Sequence, residues 1–183
     1  MASRVQATLA LAFCCDPVNR YWWPEASDDL HRWPRFTHAF GERGYGCDSV
    51  IATSGFEGVA MWLPPGVESD PAQVEALGMP DNPDRDALVT EIRAEIARFH
   101  PVEPHWYLWV TGVDPAHRGR GIGAALLSHM LARVDGDEAI AYLEATSERN
   151  ARLYERHGFE VCGRICVGDI PPLIPMVRPA QRA

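Results

Sequence analysis

Residues 112–127, GVDPAHRGRGIGAALL, hold the side chains and spacings best suited to chemistry. Gly119, Gly121 and Gly123 carry no Cβ, so the backbone there can come close to a ligand. Arg118 and Arg120 add fixed positive charge and forked donors that match phosphate oxygens. The stretch follows an apolar run at 106–110 and leads into a helical pattern that continues to Val134. It therefore reads as strand, Gly/Arg-rich loop, helix. A helix N-terminus leaves N–H groups without partners and favours an anion. These features together describe a pyrophosphate cradle.

Two familiar phosphate loops fit poorly. A P-loop needs Lys followed by Ser or Thr after its last glycine, and Gly123 is followed by Ala124 and Ala125. The dinucleotide fingerprint is matched formally by Gly119-Arg120-Gly121-Ile122-Gly123-Ala124. Its first glycine, however, should end the strand. Here the strand pattern ends at Val113, and residues 114–118 intervene. The acidic candidates Asp137 and Glu138 also precede the next strand instead of ending it.

Further residues stand out beyond the loop. Asn150 and Tyr154 are spaced i, i+4 and share one helix face. Glu144 lies in an otherwise apolar strand, where an unpaired carboxylate is costly. It reads either as the structural partner of an arginine or as a base, acting through water. His105 and Glu57 are weaker candidates for the base. The histidines have no metal-ligand spacing, and no metal is expected.

The elements that must position these groups follow from periodicity. Residues 4–15 read as a first helix with Val5, Leu9, Ala12 and Phe13 near one face, stopped at Asp16-Pro17. The aromatic stretch Tyr21-Trp22-Trp23-Pro24 and Trp33-Pro34 suits either core or the wall of an acceptor pocket. Residues 38–43 read as the end of a second helix, closed by Gly44. Residues 49–53 and 58–63 read as a hairpin around Ser54-Gly55-Phe56-Glu57. Pro64-Pro65-Gly66 ends it, and 67–83 read as short helices and loop. Asp84 is placed as the cap of a helix with Leu88, Ile92, Ile96 and Phe99 on its apolar stripe.

Residues 105–113 are apolar on both parities, as a central strand should be, and Gly112 suits a bulge or a close ligand approach. After the loop, Ile122, Ala125, Leu126, Met130 and Val134 mark a helix ending at Asp135-Gly136. Residues 139–145 complete a βαβ unit. Thr146-Ser147 offers an N-cap for a helix through His157, with Gly158 as its C-terminal cap. Residues 159–167 and 173–177 read as two last strands.

Composition limits the partners. The 183-residue chain carries 46% hydrophobic and 23% charged residues and a formal charge of −8. That suits one soluble domain over 1–183 and argues against nucleic acid or an anionic membrane as partner. No apolar run approaches a membrane span. The apolar N-terminus is interrupted by Gln6 and Thr8 and lacks a cleavage site, so it reads as an amphipathic helix and not as a signal peptide. Five cysteines, two of them adjacent at Cys14-Cys15, suggest reduced thiols in a cytoplasmic protein. The aromatic N-terminal half could support a homodimer.

The loop resembles the acyl-CoA loop of the GNAT N-acetyltransferase superfamily, Val-x-Pro-x-x-Arg/Gln-Gly-x-Gly-x-Gly/Ala, through Val113, Pro115, Arg118, Gly119, Gly121 and Gly123. The run YLEATSERNARLYERHGFEV is similar to the second signature of these enzymes. Residues 99–113, FHPVEPHWYLWVTGV, resemble the puromycin N-acetyltransferase branch. The likeness spans 99–178, and more loosely the first helix and 58–66. That branch begins with a strand ahead of the first helix, whereas this chain starts at the helix.

The resemblance implies an α/β GNAT fold, a mixed sheet of six or seven strands flanked by helices. Residues 1–100 would form mainly the acceptor side, and 101–183 the acyl-CoA core and last strands. It implies acetyl-CoA as donor. Thr111, Gly112 and Val113 would hold the pantetheine arm through the backbone, and one N–H there would polarise the thioester carbonyl. Arg118, Gly119, Arg120, Gly121, Ile122, Gly123 and Ala124 would hold the pyrophosphate, with Asn150 and Tyr154 beside the CoA arm. Tyr154 becomes the general acid and Glu144 the base. The expected activity is transfer of acetyl to a primary amine of a small molecule by direct attack. A silent acyl-CoA-binding module and a protein N-terminal or lysine acetyltransferase are the alternatives, and a nicotinamide oxidoreductase rests on the glycine match alone.

Overall fold

In the computed structural model, residues 2–25, 34–35, 37–39, 43–68 and 83–181 are described, with the backbone alone at 83–86. Six strands form one sheet: β1 (Val50–Ala52), β2 (Gly58–Leu63), β3 (His105–Val113), β4 (Ile140–Ala145), β5 (Glu160–Val161) and β6 (Ile174–Arg178). Their order is β1-β2-β3-β4-β6-β5. Every neighbour pair is antiparallel except β3 with β4, which is parallel. The parallel pair is joined by α4 (Ile122–Gly136), the crossover helix that such a connection requires.

Alternation along β2 separates two cores. Ala60 and Trp62 point to one face, where α4 and α5 (Glu148–Glu155) bury Leu127, Met130, Val134, Ala151 and Tyr154. Val59 and Met61 point to the other, against Val5 and Leu9 of α1 (Ala2–Phe13). Each fully buried Leu or Met contributes roughly 1.5–3 kcal/mol relative to exposure. A third cluster joins Ile92 of α3 (Pro83–Phe99) to Ile165, Val167, Ile170 and Leu173, with Tyr21 and Trp22 of α2 (Pro17–Trp22) packed against it.

Most expected elements appear within one or two residues of their places, and several details differ. Asp16 does more than stop α1: its Oδ1 accepts the N–H groups of Val18 and Asn19 and so caps α2. The stripe Leu88, Ile92, Ile96 and Phe99 faces the third cluster as expected, but α3 begins at Pro83, which puts Asp84 inside the helix. Residues 43–45 are helical, so Gly44 lies in a helical turn and does not close one. Residues 40–42, 69–82 and Trp33 lie outside the described residues.

The strand expected at 159–167 shortens to Glu160–Val161 with one further bridge, Ile165↔Leu173. Ile165 and Val167 are buried against α3, Phe159 packs against Tyr154, and Val161 is exposed. A Cβ on Gly163 would stand 2.6 Å from the Phe99 ring, so this loop lies directly on the helix.

Candidate active site

The glycine loop adopts the conformation its residue types permit. Asp114 caps a single 3₁₀ turn, Pro115–His117, by accepting the Ala116 N–H at 2.8 Å. Gly119 and Gly121 then take φ of +77° and +79°, a region that costs a residue with a Cβ. A Cβ at either position would meet nothing within 4 Å, so both face open space. Gly121 is also the N-cap of α4 and offers no side-chain cap. The first amides of α4 therefore point outward unsatisfied by any side chain, with the positive end of the helix dipole behind them. The observed conformation suits a phosphate group.

The two arginines differ. Arg118 donates through Nη2 to Ala12 O at 2.6 Å and through Nε to Val113 O at 3.4 Å, tying the loop to the C-terminal end of α1. Arg120 is exposed and has no partner among the described residues. Gly112 has a different reason to be glycine from the one its sequence suggests. A Cβ there would lie 2.6 Å from Ala12 Cβ and 3.2 Å from Leu9 Cδ2. It lets α1 approach the sheet, and the close contact is with a helix instead of a ligand.

Beside the loop, the sheet opens. β3 pairs with β4 only at His105↔Ile140, Trp106↔Ala141 and Tyr107↔Tyr142, so residues 108–113 have no ladder on that side. Against β2 the register jumps from Met61↔Val110 to Trp62↔Leu108, setting Leu108 and Trp109 opposite one residue. This bulge swaps the faces of β3: Trp106 and Leu108 pack toward α4, whereas Val110 packs toward α1. Asp114 N–H donates to Glu57 O on the β2 side. Backbone alternation then turns the polar groups of Val113 and Thr111 toward the gap. The Thr111 hydroxyl donates to Val59 O at 3.1 Å.

Across the gap stands the helix after β4. Ser147 caps α5 by accepting the Asn150 N–H. Asn150 Nδ2 donates to Thr146 Oγ1 at 3.4 Å, and Thr146 donates to Asp16 Oδ2 at 2.6 Å. Tyr154, one turn on, is 7% exposed and packs edge-on against Phe159. Its hydroxyl makes no hydrogen bond among the described residues. Burial, and then the negative charge of Asp16, push its pKa above the usual phenol value. It therefore stays protonated at neutral pH. Asp16 and Thr146 were legible in the sequence only as helix signals, because their approach to Tyr154 comes from tertiary contact between the α1–α2 junction and β4.

Glu144 lies elsewhere. Ala141, Leu143 and Ala145 pack into the cluster that holds Tyr154, so alternation sends Tyr142 and Glu144 to the opposite face. There Glu144 Oε2 accepts from the Tyr107 hydroxyl at 2.7 Å, and Oε1 stands 3.4 Å from His100 Nε2. His105 joins the group through His100. No arginine contacts Glu144 among the described residues. Glu57, by contrast, is engaged in its hairpin: it accepts from Thr53 at 2.5 Å, and that bond lowers its pKa. Thus the structure gathers the loop, Thr111, Val113, Asn150 and Tyr154 around one opening, and places Glu144 and His105 together across the sheet.

No group of three or more potential metal ligands occurs among the described residues. None of the five cysteines is in a disulfide, and Cys15, Cys162 and Cys166 are exposed. Asp137, the acidic candidate for a dinucleotide ribose, instead accepts the Trp106 indole N–H at 3.0 Å.

Comparison with known proteins agrees with this geometry. The Acetyltransferase (GNAT) domain family matches residues 84–161. A solved structure from Corynebacterium glutamicum ATCC 13032, described as histone acetyltransferase HPA2 and related acetyltransferase, is 31% identical with a TM-score of 0.71. The alignment covers 100% of this chain and 92% of that one. The chain belongs to the GNAT acetyltransferase family. Other GNAT relatives match over shorter stretches. The mycothiol acetyltransferase of Mycolicibacterium gilvum (strain PYR-GCK) is 42% identical over 62 residues, 30% of this chain and 20% of that protein. The L-2,4-diaminobutyric acid acetyltransferase of Streptomyces avermitilis is 36% identical over 74 residues, 36% of this chain and 41% of that protein. This GNAT chain thus spans about a fifth of the length of the mycothiol acetyltransferase it matches. The expected six- or seven-stranded mixed sheet is the GNAT sheet described above, with six strands.

Proposed function

We propose that this GNAT domain is an acetyl-CoA-dependent N-acetyltransferase acting on a primary amine of a small molecule. The observation that carries this reading is the gap between β3 and β4 opening beside the uncapped N-terminus of α4. Gly119 and Gly121 leave the space there that a pyrophosphate needs, and the amides of residues 121–124 with Arg120 supply donors. When bound, acetyl-CoA supplies an activated thioester carbonyl and a thiol leaving group. Val113 presents its amide to the gap as the donor that polarises that carbonyl. Asn150 orients the arm from α5, and Tyr154, held protonated, delivers a proton at its phenolic oxygen to the departing sulfur. Glu144 takes the proton of the amine, through water.

A small-molecule acceptor is supported by the relatives named for mycothiol and diaminobutyric acid. The likeness of residues 99–113 to the puromycin branch supports the same class without naming the amine. We propose a cytoplasmic location because none of its five cysteines is in a disulfide; no helix of the described residues is long and apolar enough to cross a membrane. Protein lysine is the second reading, favoured by the histone acetyltransferase description of the Corynebacterium relative.

Release of free thiol from acetyl-CoA, measured over a panel of small amines, a lysine peptide and a free N-terminal peptide, decides among these. Turnover greatest with a small amine is the expected result. Turnover with the peptides alone overturns the small-molecule assignment. No thiol release, despite stabilisation by acetyl-CoA, identifies a binding module.

A further inference from the structure

We propose that Glu144 and His100 act as one proton-accepting pair, with His105 as the residue that fixes the tautomer of His100. The inference rests on the reading of Glu144 as base and adds to it His100 and His105, which lie outside the glycine loop and the second signature.

The chain of contacts sets where the protons lie. His105 Nδ1 stands 2.8 Å from Glu103 O. A carbonyl only accepts, so Nδ1 carries the hydrogen. Burial lowers the pKa of His105, which keeps the ring neutral and leaves Nε2 as an acceptor. His100 Nδ1 lies 3.2 Å from that nitrogen and must donate to it. In neutral His100 the bare lone pair of Nε2 then faces Glu144 Oε1 at 3.4 Å. Two acceptors face each other until one proton is added. With it the contact becomes a charge-assisted hydrogen bond from Nε2 to Oε1.

The surroundings suit uptake of that proton. Oε1 is buried and makes no hydrogen bond, whereas Oε2 is already held by Tyr107. The groups facing His100 are His105 and Tyr107 from β3, and Tyr142 and Glu144 from β4. Tyr107 and Tyr142 stay protonated, since burial and then the Glu144 charge raise both phenols. The Cys162 thiol, which acts electrostatically on Tyr142, is itself raised by burial and stays neutral. That leaves the Glu144 carboxylate and the His100 imidazole as the acid–base contact of the cluster. The side chain of His100 is 28% exposed against 8% for Glu144, so His100 is the member that can return the proton to water.

The step balances. The ammonium form of the acceptor gives its proton to the pair, and the nitrogen keeps the electron pair with which it forms the new C–N bond. The C–S bond breaks as Tyr154 supplies the sulfur with a proton, and the nitrogen loses its second proton to water as the amide forms. Tyr154 then regains a proton from water, and His100 releases the amine's first proton to solvent, so that one proton is released overall.

The test reads His100 directly. The ¹⁵N resonances of the histidine rings are followed against pH in the wild type, Glu144→Gln and His105→Asn, with circular dichroism to verify folding. The expected result is a His100 midpoint lower by at least about one pH unit in Glu144→Gln, equivalent to a tenfold change in proton affinity. In His105→Asn, the preference for Nδ1–H on His100 should be lost. An unchanged His100 midpoint in folded Glu144→Gln overturns the pair.

Kinetics supply the second arm, with the amine turned over best. His100→Gln should move the acid limb of kcat/KM to lower pH and reduce kcat about tenfold or more. An unchanged acid limb and kcat also overturn the pair. A Glu144→Gln variant with full kcat, together with a shifted His100 midpoint, would instead sink the base reading while leaving the coupling in place.

Discussion

The Tyr154 ring is nearly enclosed, and its hydroxyl forms no hydrogen bond with the described residues, so its proton is not committed to another protein group. Phe in its place keeps the ring contact with Phe159 and removes only the proton. Tyr154→Phe should therefore leave thermal stability and acetyl-CoA affinity nearly unchanged while lowering kcat by roughly 10²–10⁴-fold. Because the leaving thiol is a fair leaving group, the lower end of that range is expected, with a smaller loss at low pH. The raised pKa of Tyr154 also fixes the sign of its pH dependence. The acid form persists above the ordinary value of about 10, so no basic limb below that pH should arise from this residue. Near-normal kcat in the Phe variant across pH would return Tyr154 to a packing role. The arginines should separate in the same way. Arg118→Ala removes the bonds to Ala12 O and Val113 O and should lower both the melting temperature and acetyl-CoA affinity, by about 1.5–3 kcal/mol in binding. Arg120→Ala should lower affinity and spare the melting temperature. Calorimetric binding and thermal denaturation of both variants check this; equal melting behaviour would show that Arg118 does not hold the loop.

At the scale of elements, the loop and the strand before it use glycine for two different reasons. Gly121 needs its positive φ of +79° and has open space around it. Gly121→Val forces strain of about 1–3 kcal/mol and fills the cradle, so acetyl-CoA affinity should fall steeply while α4 still forms. Gly112 instead stands under α1, 2.6 Å from Ala12 Cβ through its absent side chain. Gly112→Val should push α1 off β3 and cost about 1–3 kcal/mol by overpacking, seen first as a lower melting temperature. If Gly112→Val melts like the wild type, the α1 contact is looser than described. The bulge at Leu108–Trp109 belongs to the same scale. It turns Val110 toward α1, and beyond it Val113 and Thr111 present their polar groups to the open side of β3.

For the whole molecule, the proposed donor site draws on β3, α4, β4 and α5, so a ligand filling it should stabilise the fold as a unit. Acetyl-CoA at one hundred times its Kd should add about 2.7 kcal/mol of apparent stability, whereas NAD should add none. A melting shift with NAD alone would overturn the reading of the loop. The opposite face holds the Glu144, His100 and His105 group, and the parallel segment from His105 to Tyr107 is where β3 and β4 still touch. The two halves of the proposed chemistry therefore lie on either face of one sheet, joined at the place where it splits.

The sequence by itself marked most of the elements and the loop proposed here as the donor cradle. Periodicity marks β3 and α4, and glycines with arginines ahead of a helix N-terminus suit a phosphate group, so Arg118 to Ala124 could be proposed as its cradle without coordinates. Ser147 and Gly158 marked the ends of α5 through local capping chemistry. The short β5, the bulge in β3 and the partner of Gly112 were not legible, because each depends on a neighbour distant in the chain. The partners of Glu144 were equally hidden. His100 directly follows α3 and His105 begins β3, and only the packing of the helix C-terminus against β4 brings them within reach of a carboxylate some forty residues on. Local pattern encodes backbone conformation and the face a residue takes. Which titratable groups meet, and so where a proton can go, was decided by tertiary packing.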